Sequence, residues 1–375
     1  MDEKILWLWL NNIKHIGNIT IMKLLKEFGT PGNIFEAPVS LLEKIMSIRQ
    51  ITEFKKAKKS QKVYEINHEM NEHSIKYIYP THRDYPAKLL NIYNPPSILY
   101  IRGNFDKSLN FHNMNIAIVG SRTPSAYGRE MAGKFAAELG KRKINIISGL
   151  AIGIDGEAHK GALGVDGYTL GILGSGIDVI YPRDNIELFQ QMTERGCVIS
   201  EYGLGVQPVP GNFPMRNRLI SGLCDGVLVV EARKKSGSLI TADYAIDQGK
   251  QIYAIPGKLM DINSEGTNNL IKNGAFLVTS YKDIMFDLTG DEKYNTIDIE
   301  NKSMEDIMDI GYVNKNSLAP LEKMVYSCLS LEPTYIDDII QSIGVGVTKA
   351  ISVLYTMEER GIIKQPVKGY YIISA

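Results

Sequence analysis

Apolar residues recur at helical spacing near the start of the chain. Ile5, Leu6, Trp9, Leu10 and Ile13 form one stripe; Ile21, Leu24, Leu25 and Phe28 form a second. Ile16-Gly17-Asn18-Ile19 reads as the turn between them, and Gly29-Thr30-Pro31-Gly32 as a helix stop. Residues 1–75 therefore predict a small helical domain. From residue 76 to 113 the pattern is extended, rich in Tyr and Pro. Pro95-Pro96 forbids helix there, so this stretch predicts a connector packed along the next domain.

The pattern changes again at residue 114. Apolar runs of strand length fall at Asn115–Val119, Ile144–Ile147, Tyr168–Leu173, Cys197–Ser200, Gly226–Val230, Gln251–Ile255 and Phe276–Val278. Segments of helical period, such as Gly128–Lys141 and Ile240–Gly249, lie between them. Fully apolar strands alternating with helices predict a parallel sheet covered on both faces. Residues 114–287 are thus expected to form a Rossmann-like, doubly wound α/β domain, with ligands at the carboxyl ends of its strands. Residues 288–316 are polar and acidic and read as a linker. In residues 317–375, three helical segments precede two strand-like runs flanking Pro366–Gly369. That order predicts a winged helix, with Gly361 capping its third helix.

Composition narrows the function classes. The 375 residues carry 42 Lys and Arg against 42 Asp and Glu, and 44% are hydrophobic, which is ordinary globular composition. The zero net charge is uneven: +4 over residues 1–90, +1 over 91–287 and −5 over 288–375. A phosphate-gripping protein needs a local basic patch rather than a basic total, and the acidic final third is a poor place for one. No apolar run spans a membrane, and the N-terminal MDEKILWLWLNNIK is too short and ill-flanked for a signal peptide. Cys197, Cys224 and Cys328 make no CxxC pair and no disulfide framework. A cytoplasmic chain with no metal, no cofactor and no membrane contact is expected.

The chemistry lies in loops that follow strands. Gly120-Ser121-Arg122 turns sharply after the first apolar run, where backbone N–H groups and a forked cation suit an anion; a structural turn with a surface Arg fits equally. In Ser148–Asp155, small residues allow close ligand approach, and Asp155 fits a helix cap as well. His159, one turn on, reads as a helix-surface residue. Gly174-Ser175-Gly176 departs from GxGxxG, which argues against a nicotinamide cofactor. Asn212–Leu223 reads as a fourth loop, with Phe213 beside Arg216, Asn217 and Arg218. Cations plus a ring suit single-stranded nucleic acid; alternatively Arg216 or Arg218 pairs with Glu201 or Glu231. Arg233-Lys234-Lys235 precedes Ser236-Gly237-Ser238, another anion-ready helix start. The chain has no GxxxxGK[ST], GxSxG or HExxH motif, so P-loop, serine-hydrolase and zincin chemistry are not expected.

In order, GSR (120–122), SGLAIGID (148–155), GILGSGIDVIYP (171–182), FPxRNRxISGL (213–223), EAxxxSGSLITA (231–242), IPG (255–257) and GTNxLIxxGA (266–275) resemble the DNA-processing protein A (DprA/Smf) family. The resemblance covers the whole Rossmann-like segment. The helix, Gly turn and helix of residues 1–75 read as a helix-hairpin-helix or SAM-like unit. The resemblance implies a SAM-like N-terminal domain, an extended Rossmann fold, a C-terminal winged helix and a homodimer formed through the Rossmann domain. It also implies a non-catalytic binder of single-stranded DNA that loads RecA recombinase, chiefly in natural transformation. The DNA-binding residues it implies are Gly120, Ser121, Arg122, Arg183, Phe213, Arg216, Asn217, Arg218, Gly237 and Ser238. The chain departs from the family at Gln207–Gly211, which lacks a Lys or Arg where members often have one. The third helix of the C-terminal unit holds one Lys, one Arg and two Glu, which favours protein contact over duplex reading. The rivals are a nucleotide-processing enzyme like the phosphoribohydrolases, whose PGGxGT-type loop is missing here, and a winged-helix transcription regulator.

Overall fold

The computed structural model describes residues 1–105, 114–291, 318–330 and 332–373. The expected linker over 288–316 falls almost wholly outside the described residues. The chain separates into two compact units: Met1–Thr123 with Met131–Tyr281, and Pro124–Glu130 with Lys282–Ala375.

The first unit opens with six helices: α1 (Glu3–Asn11), α2 (Asn18–Phe28), α3 (Pro31–Glu36), α4 (Val39–Leu42), α5 (Ile48–Lys58) and α6 (Lys62–Glu72). Their ends are chemically marked. Thr30 caps α3 ahead of a first-turn Pro, Ser47 and Gln50 form a capping box on α5, and Gly29 ends α2 at φ 80. Leu6 to Leu10 of α1 are all buried. They belong to a hydrophobic cluster that also holds Leu150, Leu173, Phe189 and Met192 from the α/β part. Residues 1–75, expected as a domain of their own, therefore share a core with the sheet.

That sheet has nine strands: β1 (Lys76–Ile78), β2 (Leu99–Gly103), β3 (Asn115–Val119), β4 (Asn145–Ser148), β5 (Thr169–Ile172), β6 (Cys197–Ser200), β7 (Gly226–Val229), β8 (Gln251–Ala254) and β9 (Phe276–Leu277). Their order is β1-β2-β6-β5-β4-β3-β7-β8-β9. From β6 to β9 every pairing is parallel, and β2 and β1 add antiparallel strands at one edge. The seven strand positions read from the apolar runs all appear. The stretch expected as a connector instead contributes β1 and β2, because Leu99, Tyr100 and Ile101 bury themselves against β6. Strand order runs outward from β3 in both directions, so the topological switch falls between β3 and β7.

In the second unit, helices Pro320–Ser327, Ile336–Ile343 and Val347–Glu359 join a three-stranded antiparallel sheet of β10 (Thr334–Tyr335), β12 (Tyr370–Ile373) and β11 (Ile363–Val367), in that order. Gly344 and Gly361, at φ 64 and 67, end the second and third helices. Val325, Ile339, Leu354 and Met357 form its core. Among the described residues, no single helix is long and apolar enough to cross a membrane.

Candidate functional site

The loops after β3, β4, β5, β6 and β7 converge on a cleft of about 540 Å³ at the switch point. Gly120, Ser121 and Arg122 come from the first, Asp155 from the segment after β4, and Tyr181 from that after β5. Phe213, Arg216 and Asn217 follow β6; Arg233, Lys235, Ser236, Gly237 and Ser238 follow β7.

Close packing shapes the floor. A Cβ on Gly120 would lie 2.7 Å from Ile154 Cγ1 and 2.9 Å from the Glu231 carbonyl oxygen, so only glycine lets β3 turn there. The turn is then locked, since Ser121 Oγ accepts from the Thr123 N–H (3.1 Å) and the Ser121 carbonyl from the Ile154 N–H (3.2 Å). Ser121 is therefore mostly buried, and Arg122 projects outward.

Arg122 lies over the Phe213 ring, 5.5 Å from guanidinium carbon to centroid, and the Tyr181 ring lies 5.5 Å from Phe213 at 41°. A Cβ on Gly174 would meet Phe213 Cδ1 at 2.8 Å, so the ring rests directly on the glycine backbone. A cation over a ring, with a second ring alongside, offers charge and π-surface together.

The segment Asn212–Leu223, expected as a loop, is a helix. Its apolar positions Leu219, Ile220 and Leu223 pack into the sheet's second hydrophobic cluster, and that burial carries the helix through the Asn and Arg positions. The two arginines face inward as a result. Arg216 Nη1 donates to the Gly149 carbonyl (2.7 Å) and to that of Ile172, and Nε donates to Asn217 Oδ1 (3.1 Å). Burial, opposed by Asp155, lowers the Arg216 pKa to about 10, so the group stays charged at neutral pH. Asp155 accepts from the Gly149 N–H (3.0 Å); burial raises its pKa, and Arg216 partly offsets that. Asp155 is not a helix cap, since Gly153 holds that position. It braces the loop that Arg216 grips. Asn217 Nδ2 donates to the Gly237 carbonyl (3.3 Å) and ties this floor to the loop after β7.

Arg218 requires a correction to the expected DNA-contact set. It is 1% exposed, forms no part of the cleft lining, and makes a two-pronged pair with Glu201, at 2.9 Å (Nη1–Oε1) and 2.6 Å (Nη2–Oε2). Of the two readings left open for these arginines, pairing with Glu201 holds for Arg218. Glu201 also accepts from Asn18 Nδ2 (3.0 Å), and Asn18 Oδ1 accepts from Ser97 Oγ (2.7 Å), so the pair helps clamp the N-terminal helices to the sheet. Arg183 is exposed, two residues past Tyr181, and outside the cleft lining. His159 is also corrected. It is fully buried, its Nδ1 lies 2.6 Å from Thr169 Oγ1, and burial lowers its pKa to about 3. It is neutral at physiological pH and far from a surface residue.

The far wall carries the positive field. Arg233 and Lys235 are exposed there, beside the N-terminus of helix Gly237–Asp247, whose first N–H groups and dipole favour an anion. Ser236 caps that helix, its Oγ accepting from the Ser238 N–H (3.3 Å). Arg233, Lys235 and Tyr181 were not among the expected site residues, although a basic triplet directly before a Ser-Gly-Ser helix start pointed to the first two. Among the described residues, no group of three or more His, Cys, Asp or Glu side chains is placed to hold a metal.

The sequence model for DNA recombination-mediator protein A matches residues 76–289, the segment that builds the sheet and the cleft. Protein Smf of Synechocystis is 31% identical over 387 aligned residues, covering 97% of this chain and 97% of its own. The crystal structure of DNA processing protein A from Streptococcus pneumoniae superposes with a TM-score of 0.64 at 34% identity, over 74% of this chain and 95% of that one. A structure of the Helicobacter pylori protein, described for its single-stranded DNA binding mode, gives 0.52 at 31% identity, over 57% and 96%. With this sheet, this cleft and these relatives, the chain belongs to the DNA recombination-mediator protein A family, the DprA/Smf proteins.

Proposed function

We propose that this chain binds single-stranded DNA in the switch-point cleft, protects an incoming strand there, and loads RecA recombinase onto it during DNA uptake and natural transformation. The observation that carries this reading is the combination in one cleft of exposed cations (Arg122, Arg233, Lys235), a helix N-terminus, and the Phe213–Tyr181 ring pair. Phosphates need the first two and bases the third. Gly120, Ser121, Asn217, Gly237 and Ser238 shape the wall, and Arg216 holds it from beneath. The single-stranded DNA binding mode described for the Helicobacter pylori relative supports the assignment. The chain acts by binding, without catalysis.

The assembly we propose is a homodimer through the Rossmann domain. Support comes from β9, which ends the sheet with Phe276 and Leu277 exposed at its edge, an arrangement that invites a partner. The C-terminal unit we read as a winged helix used for protein contact, because Val347, Ile351 and Tyr355, spaced four apart on its third helix, are exposed. A nucleotide-processing enzyme is the second reading, favoured only by the buried Asp155 carboxyl in the cleft wall.

Fluorescence anisotropy tests the reading, with labelled single-stranded and duplex oligonucleotides over a salt series, for wild type and Arg122→Ala. Expected are a single-strand preference, a log–log salt slope of about −0.7 per phosphate contact, and a large loss in the variant. Equal binding by both proteins, or none by wild type, overturns the site. Turnover of free nucleotides by wild type overturns the non-catalytic assignment.

A further inference from the structure

The IPG and GTN motifs belong to no wall of the cleft, yet they build one structure beside it. Asn268 clamps Gly257 on both sides: its Oδ1 accepts from the Gly257 N–H (3.2 Å), and its Nδ2 donates to the Gly257 carbonyl (3.0 Å). A Cβ on Gly257 would fall 2.0 Å from Ser264 Oγ, so Gly257 is pressed against the other end of the same loop. Between these anchors the chain makes a hydrogen-bonded turn. Asp261 N–H donates to the Lys258 carbonyl (3.1 Å), Ser264 N–H to the Asp261 carbonyl (2.9 Å), and Asp261 Oδ1 accepts from the Asn263 N–H (2.9 Å).

The turn is stapled to the cleft. Arg233 Nε donates to Asn263 Oδ1 (3.1 Å), Asn263 Nδ2 to the Thr123 carbonyl (3.3 Å), and the Ala232 N–H to the Asn263 carbonyl (2.8 Å). Arg233 and Thr123 both line the cleft. At its tip, three and four residues from Asn263, the turn holds Met260 at 94% exposure and Leu259 at 87%, with Ile262 also exposed. Large apolar side chains held outward by an ordered turn contribute nothing to this chain's core. The turn that holds them is continuous with the cleft wall through Arg233.

Resting on the cleft reading above, we propose that Leu259 and Met260 are a base-contacting rim, against which the bases of a single strand pack as it leaves the cleft past Arg233. The chemistry required is that of an apolar wedge against nucleobase faces. Cations supply the phosphate contacts, and this rim supplies none.

The test uses the full chain carrying Leu259→Ser with Met260→Ser, and anisotropy with an oligothymidylate and with an abasic oligonucleotide of the same length. Both side chains are exposed, so thermal stability should match wild type, and a Met260→Phe variant should retain binding. Expected is a loss of at least about fivefold on the base-bearing strand, equivalent to about 1 kcal/mol of lost base contact. The salt slope should be unchanged, because no phosphate contact is removed, and the abasic strand should show no loss. Wild-type affinity in the double variant, an equal loss on the abasic strand, or a shallower salt slope overturns the rim while leaving the cleft standing. Failure of wild type to bind any single strand overturns both.

Discussion

Arg218→Met removes a guanidinium while keeping most of its aliphatic bulk. In the folded chain this leaves Glu201, whose side chain is 7% exposed, facing one neutral donor, Asn18 Nδ2. An uncompensated buried carboxylate costs about 3–5 kcal/mol, whereas loss of an exposed ion pair costs under about 1 kcal/mol. The bonds broken, at 2.9 and 2.6 Å with both partners out of solvent, put this pair in the first class. Urea unfolding followed by tryptophan fluorescence is the fitting assay. Both tryptophans of the chain, Trp7 and Trp9, are buried in α1, whose Asn11 belongs to the same polar network through Ser97. The double variant Arg218→Met with Glu201→Gln should recover most of the loss, because no buried charge is then left unpaired. Salt should hardly change the cost, since a buried pair is weakly screened. A cost below about 1 kcal/mol would refute the reasoning. So would unchanged stability accompanied by weaker single-strand binding and a shallower salt slope, since Arg218 would then be reaching a phosphate.

Three further outcomes are expected. Phe213→Ala should weaken single-strand affinity by about 1–3 kcal/mol at an unchanged salt slope, read by anisotropy. Gly174→Ala should produce part of the same loss, because its new Cβ would stand 2.8 Å from Phe213 Cδ1 and displace the ring; thermal stability measured in parallel should change little, the ring being only half-buried. His159 gives a pH dependence. Its folded pKa of about 3 lies below the ordinary value of 6.5, so below that ordinary value the unfolded chain takes up a proton that the folded chain refuses. This contribution to stability is whole above pH 6.5 and falls as pH drops toward 3, by up to about 1.4 kcal/mol per pH unit. Raising pH should restore it, and subtracting the profile of a His159→Gln variant isolates it from Asp155, whose raised pKa acts in the opposite direction.

The strands were legible because burial on both faces demands continuous apolar runs, and each of β3 to β8 carries one. β1 and β2 were less so. The prolines between them and the irregular stretch they bracket look like a connector, and only the antiparallel register of β2 on β6 makes them strands. The helix Asn212–Leu223 was hidden for a related reason: Phe213, Pro214 and two arginines speak for a loop, and tertiary burial of Leu219, Ile220 and Leu223 overrides them.

Charge placement was the least legible feature of the site. Spacing alone left open which of Arg216 and Arg218 faces the cleft and which pairs with a carboxylate. In a helix, residues two apart point to different sides, so one reaches the cleft floor and the other turns toward Glu201. Conversely, Arg233 and Lys235 lie on a loop directly before a helix N-terminus, where alternate residues can face one opening, and both line the cleft. Backbone context therefore decides which cation faces the cleft and which is a structural ion. The same i, i+2 spacing of cations places two side chains at one opening on a loop (Arg233 and Lys235) and, on a buried helix, gives one cation for the floor and one for the frame that holds it.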